Sequence, residues 1–156
     1  MRKTVIASAL FAASVLPSLA AAQTAAPADD YTITGNVSLI NDYRFRGITQ
    51  TMKKPALQGG FDFSHASGFY LGNWNSNVSE YAGFPGGNLE MDFYGGYKTT
   101  FGDFGLDVGA IYYYYPGSKI GGTGSTVDNK EIYIGGSWQF LSAKYYYSVG
   151  DYFSDK

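Results

Sequence analysis

Residues 31–46 read Tyr31-Thr32-Ile33-Thr34-Gly35-Asn36-Val37-Ser38-Leu39-Ile40-Asn41-Asp42-Tyr43-Arg44-Phe45-Arg46. Taken alternately, Ile33, Gly35, Val37, Leu39, Tyr43 and Phe45 share one face, which only Asn41 interrupts. Thr32, Thr34, Asn36, Ser38, Asp42, Arg44 and Arg46 share the other, with Ile40 as its exception. Successive side chains of a strand point to opposite faces, so this stretch reads as a strand with one greasy side and one charged side.

The same two-sidedness recurs downstream. Around 55–65, Leu57, Phe61 and Phe63 oppose Gln58, Asp62 and Ser64. Around 88–99, Leu89, Met91, Phe93 and Tyr97 oppose Glu90, Asp92, Tyr94 and Lys98. Around 104–115, Leu106, Val108, Ala110, Tyr112 and Tyr114 oppose Asp107, Gly109 and Tyr113. Around 128–140, Ile132, Ile134, Trp138 and Phe140 oppose Lys130, Tyr133, Ser137 and Gln139. Segments near 68–76 (Phe69, Tyr70, Leu71, Trp74) and 143–153 (Tyr145-Tyr146-Tyr147, Val149, Tyr152, Phe153) are strand-like without a clear face. That makes about seven strands, with no sustained helical period after the N-terminus.

Connections of two lengths separate them. Near 65–68 and 141–142 they are short, and 99–103 is intermediate. At 46–54, 77–87 and 116–127 they are longer and rich in Gly, Pro, Ser and Asn. Short turns at one end and long loops at the other are the pattern of a transmembrane β-barrel.

The N-terminus supports export. Arg2 and Lys3 precede the apolar run Thr4–Leu16, Pro17 breaks it, and Ala20-Ala21-Ala22 offers a cleavage site before Gln23. The run is shorter than the ~20 residues a spanning helix needs. Without cysteine the chain has no disulfide framework, thiol nucleophile or lipid-anchored cysteine. The net charge is −2 before the signal's two cations are lost, so nucleic acid has no basic footprint to bind. Glycine, 21 of 156 residues, is nearly twice its ordinary ~7%, and 18% of the chain is aromatic. That mixture suits curved strands with aromatic girdles.

The expected architecture is all-β, an up-and-down antiparallel transmembrane β-barrel of which about seven strands are present, preceded by a signal peptide. Residues 1–22 are the signal, 23–30 a short periplasmic lead, and 31–156 the N-terminal part of an outer-membrane barrel domain. An odd number of strands leaves the barrel incomplete, because bacterial single-chain barrels use even numbers from eight upward.

A family resemblance rests on Asn41-Asp42-Tyr43-Arg44-Phe45-Arg46-Gly47-Ile48-Thr49-Gln50-Thr51, with Pro55-Ala56-Leu57-Gln58-Gly59, Ser67-Gly68-Phe69-Tyr70-Leu71-Gly72-Asn73-Trp74 and Ser76-Asn77-Val78. With the tail Tyr145-Tyr146-Tyr147-Ser148, these blocks resemble the TorF family of putative porins over most of 31–153. The resemblance implies an outer-membrane barrel of a longer chain and a channel role, without naming a substrate.

The residues expected to line a lumen are Asp42, Arg44, Arg46, Asp62, Glu90, Asp92 and Lys98, either setting selectivity or filling a narrow interior with ion pairs. Trp74, Tyr112, Tyr114, Trp138 and Tyr152 are aromatic-girdle candidates. The pairs Gly59-Gly60, Gly95-Gly96 and Gly135-Gly136 fall mid-strand, where they permit curvature or close backbone approach. His65, the single histidine, falls at a short turn with Ser64 and Ser67 too near in sequence for a triad. Glu90 and Asp92 point the same way on one strand and do not face each other across a cleft. Asp128-Asn129 lacks the spacing of a calcium loop.

The reading is therefore a porin-like channel for passive diffusion of small hydrophilic solutes or ions, with no enzyme activity, cofactor or metal. Its partners would be outer-membrane lipid and those solutes; a homo-oligomer fits the pattern, with no interface specified. The alternatives are a closed structural or adhesive barrel acting through its outer loops, or a barrel enzyme whose site lies in further sequence.

Overall fold

A computed structural model of the chain describes residues 29–121 and 124–153. The expected signal peptide and residues 23–28 of the lead lie outside them. The fold is all-β. In chain order the strands are β1 (Tyr31–Ile40), β2 (Arg44–Phe45), β3 (Ile48–Thr49), β4 (Ala56–His65), β5 (Phe69–Asn77), β6 (Leu89–Phe101), β7 (Phe104–Lys119), β8 (Thr126–Trp138) and β9 (Leu141–Ser148). Seven form one antiparallel meander, β1-β4-β5-β6-β7-β8-β9, and β2 with β3 makes a separate hairpin inside the first connection. Within the described residues β1 and β9 each pair on one side only.

Connections 66–68, 102–103 and 139–140 lie at one end of the sheet, the turn end. The longer 41–55, 78–88 and 120–125 lie at the other, the loop end. The alternation read from the sequence is present, with shifted boundaries. β7 runs to Lys119, past Tyr115; the β8–β9 turn sits at 139–140, ahead of Leu141; and β9 ends at Ser148, short of 153.

The register carries each strand's two faces across the sheet. Leu39 opposes Leu57, Phe63 opposes Leu71, Phe93 opposes Tyr112, Ala110 opposes Ile132 and Val108 opposes Ile134. All of these stand on one side, and that side is bare: Val37 is 76% exposed and Phe61 69%. The other side carries Asp62, Glu90, Asp92, Asp107 and Glu131. It is concave, because Tyr70 on β5 bonds Tyr133 on β8 across two intervening strands.

Two mid-strand glycines show why the sheet needs them. A Cβ on Gly60 would lie 1.9 Å from the Asn73 carbonyl oxygen, so neighbouring backbone occupies the space a side chain needs. A Cβ on Gly72 would lie 2.2 Å from the Tyr94 ring, which lies across it. Gly135-Gly136 differs: at Gly136 a Cβ would make only ordinary contacts.

One expectation fails at its end. The first strand stops at Ile40, not Phe45. The chain bends at Asn41 and Asp42, and the Asp42 carboxylate accepts Thr49 Oγ1 at 2.5 Å. Tyr43 and Phe45 thereby leave the greasy face. Tyr43 is buried on the concave side, and Phe45 packs edge-on against Tyr113 at 5.7 Å.

Candidate functional site

The concave face is the candidate site, and it has two halves. The loop-end half is filled by the β2–β3 hairpin. Arg46 and Gly47 make its two-residue turn with φ of 48° and 86°, the doubly positive pattern of a tight hairpin. A side chain in that region costs about 1–2 kcal/mol, and at Arg46 its consequence is reach. The guanidinium crosses the concavity, donating from Nη2 to both oxygens of Glu131 at 3.0 Å and from Nη1 to Tyr152 Oη at 2.8 Å. It also lies 4.8 Å from the Phe45 ring centroid. Burial works against this cation, but Tyr152 and Glu131 outweigh it and hold Arg46 above its ordinary pKa.

Glu131 is 2% exposed and also accepts Asn129 Nδ2 at 3.2 Å and Tyr113 Oη at 3.3 Å. Beneath the hairpin, Glu90 accepts Tyr115 Oη at 2.8 Å, and Asp92 is enclosed with Oδ1 lacking a partner among the described residues. Tyr43, Val78, Phe84, Tyr113, Tyr115 and Val127 make the apolar part of this plug. Burial, followed by the charges of Glu90 and Asp92, pushes the Tyr43 phenol above its ordinary pKa.

The turn-end half is more open and is built of tyrosines laid on glycines. Tyr94 covers Gly72, Tyr70 covers Gly96 and Tyr133 covers Gly109. Their hydroxyls reach acids: Tyr94 Oη donates to Asp62 and Tyr70 Oη to Asp107, each at 2.6 Å. Lys144 Nζ pairs with Asp107 at 2.5 Å and sits 4.5 Å from the Tyr133 ring centroid. Lys98 Nζ sits 4.5 Å from that of Tyr70.

Of the expected lining residues, Arg46, Asp62, Glu90, Asp92 and Lys98 come together on this face. Asp42 and Arg44 do not. They pair with each other at 2.8 Å at the base of the hairpin, where Arg44 Nη1 also donates to the Gly47 carbonyl at 3.0 Å. Hydrogen bonding from Thr49, helped by Arg44 and opposed by desolvation, holds the Asp42 carboxyl below its ordinary pKa.

Of the aromatic candidates, Tyr112, Tyr114 and Trp138 stand on the convex face, the two tyrosines stacked at 6.0 Å. Trp74 is corrected: it lies opposite Gly60 and Asp92 on the concave face and packs edge-on to Tyr43 at 5.3 Å. Tyr152 is corrected too, since its hydroxyl serves Arg46 beyond the end of β9.

The sequence reading missed Glu131, Asp107, Lys144 and the three covering tyrosines as a group. Parity was the available signal for Glu131. With Ile132 and Ile134 outward, Lys130 must also point outward and Glu131 inward, the reverse of the assignment given to Lys130.

The fold and this face define a class: a curled antiparallel sheet with an apolar outside and a charged, tyrosine-lined inside. The model of one family, described as a bacterial protein of unknown function (Gcw_chp), matches residues 24–156, and the chain belongs to that family. No curated protein and no solved structure matches it.

Proposed function

We propose that the chain forms part of an outer-membrane β-barrel that passes small hydrophilic solutes by diffusion, without catalysing a reaction. The concave face would be the lumen, the convex face would meet lipid, and the β2–β3 hairpin would constrict the passage from the outer side. One observation carries this reading: the sheet is inverted relative to a water-soluble one. Large apolar side chains of every long strand stand exposed outside, while carboxylates are buried inside. A contiguous apolar patch of that extent marks contact with another phase or partner.

Two further features support it. Aromatic residues lie near both ends of the convex face, Tyr112 and Tyr114 towards the loops and Trp138 towards the turns, as girdles at two interfaces would. The likeness of residues 41–51 to the TorF putative porins points the same way. In a bilayer the open edges of β1 and β9 would need further strands, because each unpaired backbone group in hydrocarbon costs several kcal/mol.

The test is single-channel conductance in planar bilayers of the refolded full-length protein, together with the strands that close its sheet, beside Arg46→Ala. Discrete steps whose size or ion selectivity changes in the variant are expected. The plugged loop end favours a second reading, a closed barrel working through its loops. A folded, heat-modifiable protein that gives no steps in either form would reject the channel in favour of that reading.

A further inference from the structure

At the turn end of the concave face, between β6, β7, β8 and β9, lies a bowl of about 400 Å³. We propose that this bowl is a binding station for small carboxylate anions. The proposal rests on the channel reading only for the route by which the anion arrives.

The charge arithmetic inside the bowl is the first argument. Its walls carry Lys98, Lys144 and Asp107. Asp107 is already engaged, by Lys144 Nζ at 2.5 Å and by Tyr70 Oη at 2.6 Å. Lys98 makes no ion pair or hydrogen bond among the described residues; its Nζ lies 4.5 Å from the Tyr70 ring centroid, and its charge reaches Asp107 only at longer range. One positive charge with three N–H donors therefore remains to be satisfied.

The second argument is the hydroxyl rim. Thr100, Ser137 and Ser142 line the same bowl, and their side chains make no hydrogen bond among the described residues. A lone ammonium beside hydroxyl donors suits a carboxylate, whose two oxygens accept several hydrogen bonds. A cation finds no free carboxylate there, since the only one is taken. A zwitterion therefore gains through its carboxylate end alone.

The third argument is the floor. A Cβ on Gly105 would lie 2.4 Å from Ser137 Oγ, and one on Gly135 would lie 3.1 Å from Lys144 Cε. The bare glycines let Ser137 Oγ and the Lys144 side chain lie close over the floor, which sets these polar groups at the base of the bowl.

The experiment uses the refolded full chain in detergent, at constant ionic strength, titrated with propionate and, separately, with propylammonium. Binding is read by ligand-observed NMR. We expect saturable propionate binding and none by propylammonium. Lys98→Gln should weaken propionate about tenfold and Ser137→Ala a few-fold, as loss of a charged and of a neutral hydrogen bond imply. Lys98→Arg should stay close to the parent protein. Heat-modifiability on a gel confirms that each variant is folded, and Ser137→Ala carries the test if Lys98→Gln is not. Equal propionate binding by the parent and folded Lys98→Gln, or by the parent and Ser137→Ala where that variant carries the test, overturns the station. So does equal binding of propylammonium. Propionate binding without conductance steps rejects the channel and leaves the station; steps without propionate binding reject the station and leave the channel.

Discussion

The two halves of the concave face solve the same problem in opposite ways. Both must place charged groups inside a curled sheet. The loop-end half does it by enclosure: Glu131 is held at 2% exposure by three donor groups, one of them delivered by a hairpin from the far side. The turn-end half does it by coverage: flat phenols lie over bare glycines, and their hydroxyls reach Asp62 and Asp107 while Lys98 and Lys144 stay accessible. Enclosure yields rigidity and an acidic lining. Coverage yields room and a balance of two acids against two lysines.

Glu131→Ala breaks the first half most directly. It strands Arg46 in its positive-φ turn and removes the acceptor for Tyr113 and Asn129. Breaking a fully buried pair costs about 3–5 kcal/mol. Because Arg46 is 42% exposed, a smaller loss of about 2–3 kcal/mol is expected after allowance for screening. Urea unfolding of the refolded protein measures it, and a loss below about 1 kcal/mol would show that the hairpin is not anchored there.

Gly72→Ala strikes the second half. The added methyl meets the Tyr94 ring, and overpacking of this kind costs about 1–3 kcal/mol. The same substitution in a Tyr94→Ala background should cost clearly less, because the obstacle is a side chain; additive losses in that double-mutant cycle would refute the coverage model. Gly60→Ala, facing backbone at 1.9 Å, should find no such relief.

Arg44→Ala sharpens the contrast from outside both halves. Its pair with Asp42 is half exposed and screened by solvent, so unfolding should shift far less than with Glu131→Ala. The smallest effect is one of pH. Asp42 has a folded pKa below its unfolded value, so its contribution is present above about pH 4 and fades as pH falls through the folded value. Protection of the Thr49 and Lys53 amides, corrected for the intrinsic pH dependence of exchange, should therefore fall below that point. No change would mean that the carboxylate does not hold the hairpin.

Much of this was legible. Leu57/Phe61/Phe63, Leu89/Met91/Phe93 and Leu106/Val108/Ala110 fixed the faces of three strands, since aliphatic parity has one solution where a face is uniform. The hairpin was not legible, because Tyr43 and Phe45 keep the greasy parity past the bend, and alternation says nothing about a strand leaving its sheet. Asn41 breaking the row and Gly47 closing a turn were the marks of it. Nor was β5 legible, because Asn73 and Asn75 occupy its convex face, satisfied by each other and by the carbonyls of Asp92 and Gly59. That inverts the polarity that would have placed Trp74 inside.

The contact between Arg46 and Glu131 joins residues 85 positions apart, and it has a kinetic side. A turn near the first strand can find its acceptor only after β7 and β8 are in register, so loop closure precedes any reward. The hairpin itself, by contrast, is local and fast to form. The molecule thus carries a ready-made part that waits for its socket, and seating it marks the moment at which the two distant edges of the sheet become one folding unit.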